Sequence, residues 1–204
     1  MNREAPVTSA GGYQGYPHIA LKKFICKNSR IRTVLDRSSE LRLPQWYLGG
    51  GCVAQTIWNL FHGYPPEKNI KDIDLAYYDP DLSFEAEDRH IKHVQDLLGD
   101  VPVELDIKNQ ARVHLWFQDK FGYQIQPYQS IEEAITTWPT TSTCVGVRIQ
   151  DGQCKVYAPY GLDDLFNMVV RPNKKQIREC DYVNKVKRWK KCWPRLKIID
   201  WEEA

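Results

Sequence analysis

The sequence predicts an α/β (α+β) fold, a small mixed sheet flanked by helices with a C-terminal hairpin and helix as an extension. Three patterns carry that expectation. Trp46-Tyr47-Leu48 reads as a short strand that passes through Gly49-Gly50-Gly51 into the apolar-spaced run from Cys52 to Phe61, giving strand, glycine turn and buried helix. Asp72-Ile73-Asp74-Leu75 opens a second strand, and Val103-Glu104-Leu105-Asp106-Ile107 alternates apolar and acidic residues at the period of a third. Asp151-Gly152, between Val145–Ile149 and Cys154–Tyr157, has the composition of a two-residue hairpin turn.

The remaining elements follow from local signals. Residues 1–16, rich in Gly, Ser and Pro without apolar periodicity, are expected to form a mobile extension ahead of a single domain at 17–204. That domain divides into a core at about 44–125 and a C-terminal extension at about 126–204. Ile19, Phe24, Ile31, Val34, Leu35 and Leu41 suit one or two helices, which Pro44 terminates. Paired prolines make Gly63–Asn69 a loop. Ser83 caps a helix with Glu85, Glu87 and Asp88 in its first turn and Phe84, Ile91, Val94 and Leu98 on one face; Gly99 closes it. Ser130 and Glu133 form a capping-box pattern that opens a short helix. The stretch from Gln176 to Lys191 reads as a last helix, and Asp163-Asp164 as the cap of a short one.

Composition bounds the partners. No apolar run approaches the ~20 residues that cross a bilayer, and the opening MNREAPVTSAGGYQGY lacks a signal peptide's apolar stretch, so a cytoplasmic, intracellular protein with no membrane partner is expected. The six cysteines include no Cys-x-x-Cys pair, which argues against a zinc site or a disulfide framework; the hairpin register faces Ile149 with Cys154 and keeps Cys144 away. Residues 171–204 carry eleven Lys and Arg against five Asp and Glu. A basic tail of this kind admits a nucleic-acid partner but does not favour one, because Lys185, Lys187, Arg188, Lys190 and Lys191 read first as a solvated helical face.

The chemistry lies in the acids and the glycines. Side chains at i and i+2 of a strand point the same way, so Asp72 and Asp74 project together while Ile73 and Leu75 pack beneath. Crowded carboxylates favour a shared hard cation such as Mg2+ or Mn2+. Glu104 and Asp106 share a face on the later strand, and either can supply a third carboxylate by this reasoning. A helix starting near Gly51 aims unpaired N–H groups and a positive dipole end outward, and glycines permit a phosphate to approach closely.

Plainer readings compete. An Asp-Ile-Asp opening also suits a solvated sheet edge. Gly49-x-Gly51-x-x-Ala54 matches a dinucleotide-binding fingerprint with Asp72 at the right remove, but the acid of that fold ends an apolar strand, whereas Asp72 begins one. Arg112 and His114 suit either phosphate contact or structural hydrogen bonding. His62, His90 and His93 read as structural or solvent-facing. Trp58, Trp116 and Trp138 read as core, with base stacking a lesser reading for Trp116.

These residues resemble a family. Leu48-Gly49-Gly50-Gly51, a helix, Asp72-Ile73-Asp74-Leu75 and a later acidic strand are similar to the signature of the DNA polymerase β-type nucleotidyltransferase superfamily. Asp106–Trp116, Thr137–Thr141, Ala158–Phe166 and Arg171-Pro172-Asn173 resemble a small branch of microbial nucleotidyltransferase-like proteins. The resemblance implies a nucleotidyltransferase-like fold that transfers a nucleoside monophosphate from a nucleoside triphosphate to a hydroxyl acceptor of unknown identity, using Mg2+ or Mn2+. It implies Asp72, Asp74 and Asp106 as catalytic and metal-binding residues, with family position favouring Asp106 over Glu104. Gly49, Gly50, Gly51, Gln55 and Arg112 are the implied nucleotide-binding residues. Gln55 and Thr56 stand where members carry an arginine and an acidic or amide residue. That departure grounds a second expectation, a scaffold repurposed for binding or other small-molecule chemistry without nucleotidyl transfer.

Overall fold

The computed structural model describes residues 17–204, so the expected extension at 1–16 lies outside the described residues. Two helices come first, α1 at Pro17–Ile25 and α2 at Ser29–Asp36. Asn28 starts α2 by accepting hydrogen bonds from the backbone N–H groups of Arg30 and Ile31. Strand β1 (Tyr47–Gly49) turns through Gly50 into α3 (Gly51–Phe61), and β2 (Asp72–Tyr77), α4 (Phe84–Leu97) and β3 (Glu104–Asn109) follow. Next come α5 (Val113–Phe121), α6 (Ile131–Thr136), β4 (Gly146–Gln150), β5 (Gln153–Tyr157), α7 (Asp163–Phe166), β6 (Val169–Val170), α8 (Glu179–Cys192) and β7 (Lys197–Ile198).

Five strands form one mixed sheet in the order β3-β2-β1-β4-β5. β2 and β3 run parallel, as their helical crossover α4 requires, and the other pairs are antiparallel. The C-terminal hairpin therefore completes the main sheet, with β4 bonded directly to β1. Its turn holds Asp151 at φ 51° and Gly152 at φ 72°, and Ile149 faces Cys154. The six cysteines are free thiols. β6 and β7 make a separate two-stranded parallel sheet.

The two faces of the main sheet differ. Leu48, Ile73, Leu75 and Val147 are wholly buried and share one core with α1, α2, α3 and α8. On the opposite face Tyr47 and Ala76 pack with Ile131 and Ile135 of α6, leaving the acidic residues of β2 and β3 beyond that patch. Ser83 caps α4 as expected, accepting from the Ala86 N–H, and Val94 and Leu98 are buried. Phe84 is a correction: it is 66% exposed, and Ala86, two residues on, takes the buried place in that first turn. At α6 the capping pair is shifted. Ser130 accepts from the Glu133 N–H, while the Glu133 carboxylate accepts from the N–H of Gln129, one residue before the cap. Asp164 does not cap α7 with its side chain; it accepts from Thr141 Oγ1 (2.6 Å) and pairs with Arg171.

One buried amide ties the C-terminus to the site-bearing half of the chain. Asn59 of α3 accepts a 2.7 Å hydrogen bond from Trp193 Nε1 and donates to the carbonyls of Pro66 and Lys68, in the loop that leads into β2. Replacing Asn59 with Ala leaves a buried indole N–H and two carbonyls to find other partners. Urea unfolding of Asn59→Ala is expected to show a loss of about 2–4 kcal/mol. A change below ~0.5 kcal/mol, the size of an ordinary surface substitution, would contradict this.

Candidate active site

A single row across the sheet assembles the site. Gly49 of β1 pairs with Asp74 of β2, and Asp74 pairs with Asp106 of β3, so these residues are neighbours on one face. Asp72 precedes Asp74 by two residues and shares its face; its own partner is Glu104. Ile73 and Leu75 pack beneath, as the alternation predicts. Asp72, Asp74 and Asp106 all line one cleft of ≈ 390 Å³. Glu104 is exposed and outside it, which separates the two acids that sequence alone leaves equivalent.

The glycine turn brings α3 to the same place. Gly50 has φ 68° and ψ −129°, a conformation that only glycine adopts without strain, and its N–H donates to the Val145 carbonyl at 2.9 Å. A methyl group on Gly49 would lie 2.4 Å from the Val145 oxygen and 3.0 Å from the Trp138 ring, so the strand exit admits no side chain. α3 then begins at Gly51 with no side chain capping its first N–H groups. One carboxylate oxygen of Asp74 lies 3.4 Å from where a Gly50 Cβ would be, so the helix start and the acid share a wall. Gln55, one turn on, lies against Gly51 and also lines the cleft.

Electrostatics at this corner are strained. Burial pushes the Asp74 carboxyl up to about 7, and the negative charges of Asp72 and Asp106 push the same way, against the pull of Lys108 and Lys185. Three like-charged groups beside an open cleft form a donor set that suits a hard divalent cation through oxygen ligands. Among the described residues, no three His, Cys, Asp or Glu side chains close into a ready-made cation cage. The Asp106 carboxylate is engaged by the ammonium of Lys108. The donor chemistry and the strand register fit a metal; Asp72, Asp74 and Asp106 are the residues that would hold it.

The structure adds residues that sequence reading placed elsewhere. Lys185 and Arg188 of α8 line the cleft, so the basic tail is only partly a solvated face; Lys187, Lys190 and Lys191 are exposed as expected. Their placement follows from Tyr182, Val186 and Trp189, which bury the inner stripe of α8, with Trp189 meeting Trp58 of α3 at 5.2 Å between ring centres. Burial lowers the Lys185 ammonium, as does Arg188, while Asp74 and Asp72 hold it up. Trp58 is core, but Trp116 and Trp138 are half-buried and line the cleft. Trp116, Phe117, Lys120 and Phe121 on α5 form its aromatic end, and Tyr123 and Tyr128 close that end by donating hydrogen bonds to Gln176. The spacing of Trp116 and Lys120, one helical turn apart, was the signal available in the sequence.

Arg112 is not among the cleft residues. Its guanidinium pairs with Glu87 of α4 at 3.1 Å, a tie between α4 and the end of β3. His62 donates from Nδ1 to the Trp58 carbonyl and accepts from the Arg195 N–H, a structural role; His90 sits against Asp79 and His93 against the Glu40 carbonyl. No described helix is long and apolar enough to cross a membrane.

Comparison with known proteins agrees with this fold. A family model described as nucleotidyltransferase matches residues 36–198. A solved structure described as an NMR structure that reveals a CCA-adding enzyme head domain superimposes with a TM-score of 0.67 and 27% identity, covering 84% of this chain and 90% of that one. No curated protein matches. The family match spans most of the chain and the fold match agrees with it, so the chain belongs to the nucleotidyltransferase family, of the DNA polymerase β type.

Proposed function

We propose that the protein transfers a nucleoside monophosphate from a nucleoside triphosphate to a hydroxyl group, using a divalent metal, Mg2+ or Mn2+, held by Asp72, Asp74 and Asp106. The observation that carries this reading is the row Gly49, Asp74, Asp106. With Asp72 two residues before Asp74, it sets three carboxylates beside an uncapped helix start in one cleft.

The chain's own groups divide the work. The first N–H groups of α3, from Gly51 to Val53, receive triphosphate oxygens, with Gln55 at the edge of that site. Lys185 and Arg188 face the same space from α8 and offset negative charge as it moves toward the leaving group. The aromatic end on α5 offers Trp116 as a surface on which a base can stack, worth ~1–3 kcal/mol where such contacts have been measured. The acceptor hydroxyl attacks the α-phosphorus in line; its oxygen gains the bond to phosphorus, the bond from phosphorus to the bridging oxygen breaks, and pyrophosphate leaves. Asp106 accepts the hydroxyl proton. When bound, the metal lowers the pKa of the attacking hydroxyl and neutralises triphosphate charge.

The acceptor is the open element. The matched structure is described as a CCA-adding enzyme head domain, which brings an RNA end into view, and the cations of the cleft suit such a partner as well as a smaller phosphorylated one. The reading that the fold is kept without transfer is separated by the same experiment. Thermal unfolding with Mg2+ and each nucleoside triphosphate is expected to show a metal-dependent rise in Tm, and incubation with candidate hydroxyl acceptors to release pyrophosphate. A Tm rise without pyrophosphate from any acceptor favours a binding protein, and no rise with any nucleotide sinks the proposal.

Two substitutions follow. Asp74→Asn should abolish the metal-dependent shift while leaving the ligand-free Tm unchanged or raised, since it removes a buried, crowded charge. A retained shift contradicts the site. Lys185→Met should weaken nucleotide binding by roughly tenfold, as expected for losing one charge-assisted phosphate contact. Equilibrium dialysis showing wild-type affinity would remove α8 from the site.

A further inference from the structure

Lys108 has no part in the reaction as drawn, yet it stands inside the cleft. Its ammonium is paired with the carboxylate of Asp106, two residues earlier on β3 and on the same face. Each side chain is about one-third exposed, at 36% and 34%, so the pair borders the cleft and is neither core nor free surface. Register places Lys108 opposite Ala76, whose small side chain leaves room beside Asp74 for the lysine stem. Its charge reaches Asp74 as well. Lys108 thus stands as a cation paired with one acid of the cleft and within electrostatic reach of a second.

An ammonium on Asp106 and a divalent ion among the same acids compete for the same oxygens. A partly exposed ion pair is worth only ~0–1 kcal/mol, so displacing the lysine is easy. Displacement frees a positive charge inside the cleft that the start of α3 also lines. We propose that Lys108 is a built-in counter-ion: it holds Asp106 while the site is without metal, and moves onto the triphosphate when metal and nucleotide arrive together. Metal alone then binds against a resident charge, whereas metal with nucleotide gains that charge as a ligand, so the two load cooperatively. The inference rests on the transferase reading of this cleft.

The test measures two affinities of opposite expected change. Mn2+ alone is titrated and the free ion read by electron paramagnetic resonance; a non-hydrolysable nucleoside triphosphate is then measured by equilibrium dialysis at saturating Mn2+. Lys108→Met should bind Mn2+ alone up to about fivefold more tightly than wild type and bind the nucleotide about fivefold or more weakly. Lys108→Gln serves as a second neutral variant should Lys108→Met not fold, and Lys108→Arg should keep the wild-type pattern. A structural lysine would move both affinities together or neither, and either result overturns the inference while a wild type that binds both ligands preserves the transferase reading. A wild type that binds neither removes that reading and this inference with it.

Discussion

Like charges on adjacent strands repel, and the site is arranged around that repulsion. Asp74 sits between Asp72 on its own strand and Asp106 on the next, over a bed of Ile73 and Leu75 that excludes water from below. Burial pushes its carboxyl up to about 7, and the two neighbouring acids push the same way. Positive charge nearby comes from the uncapped start of α3, Lys108 on Asp106 and Lys185 from α8. In the proposed reaction a divalent cation shared by the three carboxylates offsets most of their charge, and these groups offset the rest.

The rest of the fold keeps this corner in place. The glycine turn can deliver α3 to the acids only because Gly49 and Gly50 leave no side chain between the strand exit, the Val145 carbonyl and Trp138. Trp58 of α3 is held between Trp189 and Trp193, and Asn59 beside it fixes both the C-terminal segment and the loop entering β2. The C-terminal third of the chain is thereby part of the site. It contributes β4, the strand next to β1, and a helix whose cations face the acids.

What the sequence disclosed, and what it withheld, follows from range. Local patterns were sufficient for the hairpin at Asp151-Gly152, the caps at Ser83 and Ser130 and the strand–turn–helix at Tyr47–Phe61, because each is decided by residues within a few positions of one another. Asp72 and Asp74 were legible for the same reason, being two apart on one strand. Glu104 and Asp106 were not separable, since their difference depends on which β2 residue each faces. Arg112 looked like a phosphate ligand until α4 brought Glu87 against it, and Lys185 looked like surface until α8 turned it inward. Phe84 shows the converse, an apolar residue at the right helical spacing that stays exposed while Ala86 fills the buried place in its turn.

The central claim is that Asp72, Asp74 and Asp106 share a cation beneath a triphosphate held at the start of α3. A crystal structure of the protein with Mn2+ and a non-hydrolysable nucleoside triphosphate tests it most directly, because anomalous scattering locates the ion independently of the protein. A Mn2+ peak is expected among those three carboxylates, with phosphate oxygens on the N–H groups of Gly51 to Val53. A peak elsewhere, or a triphosphate bound away from the glycine turn, would contradict it.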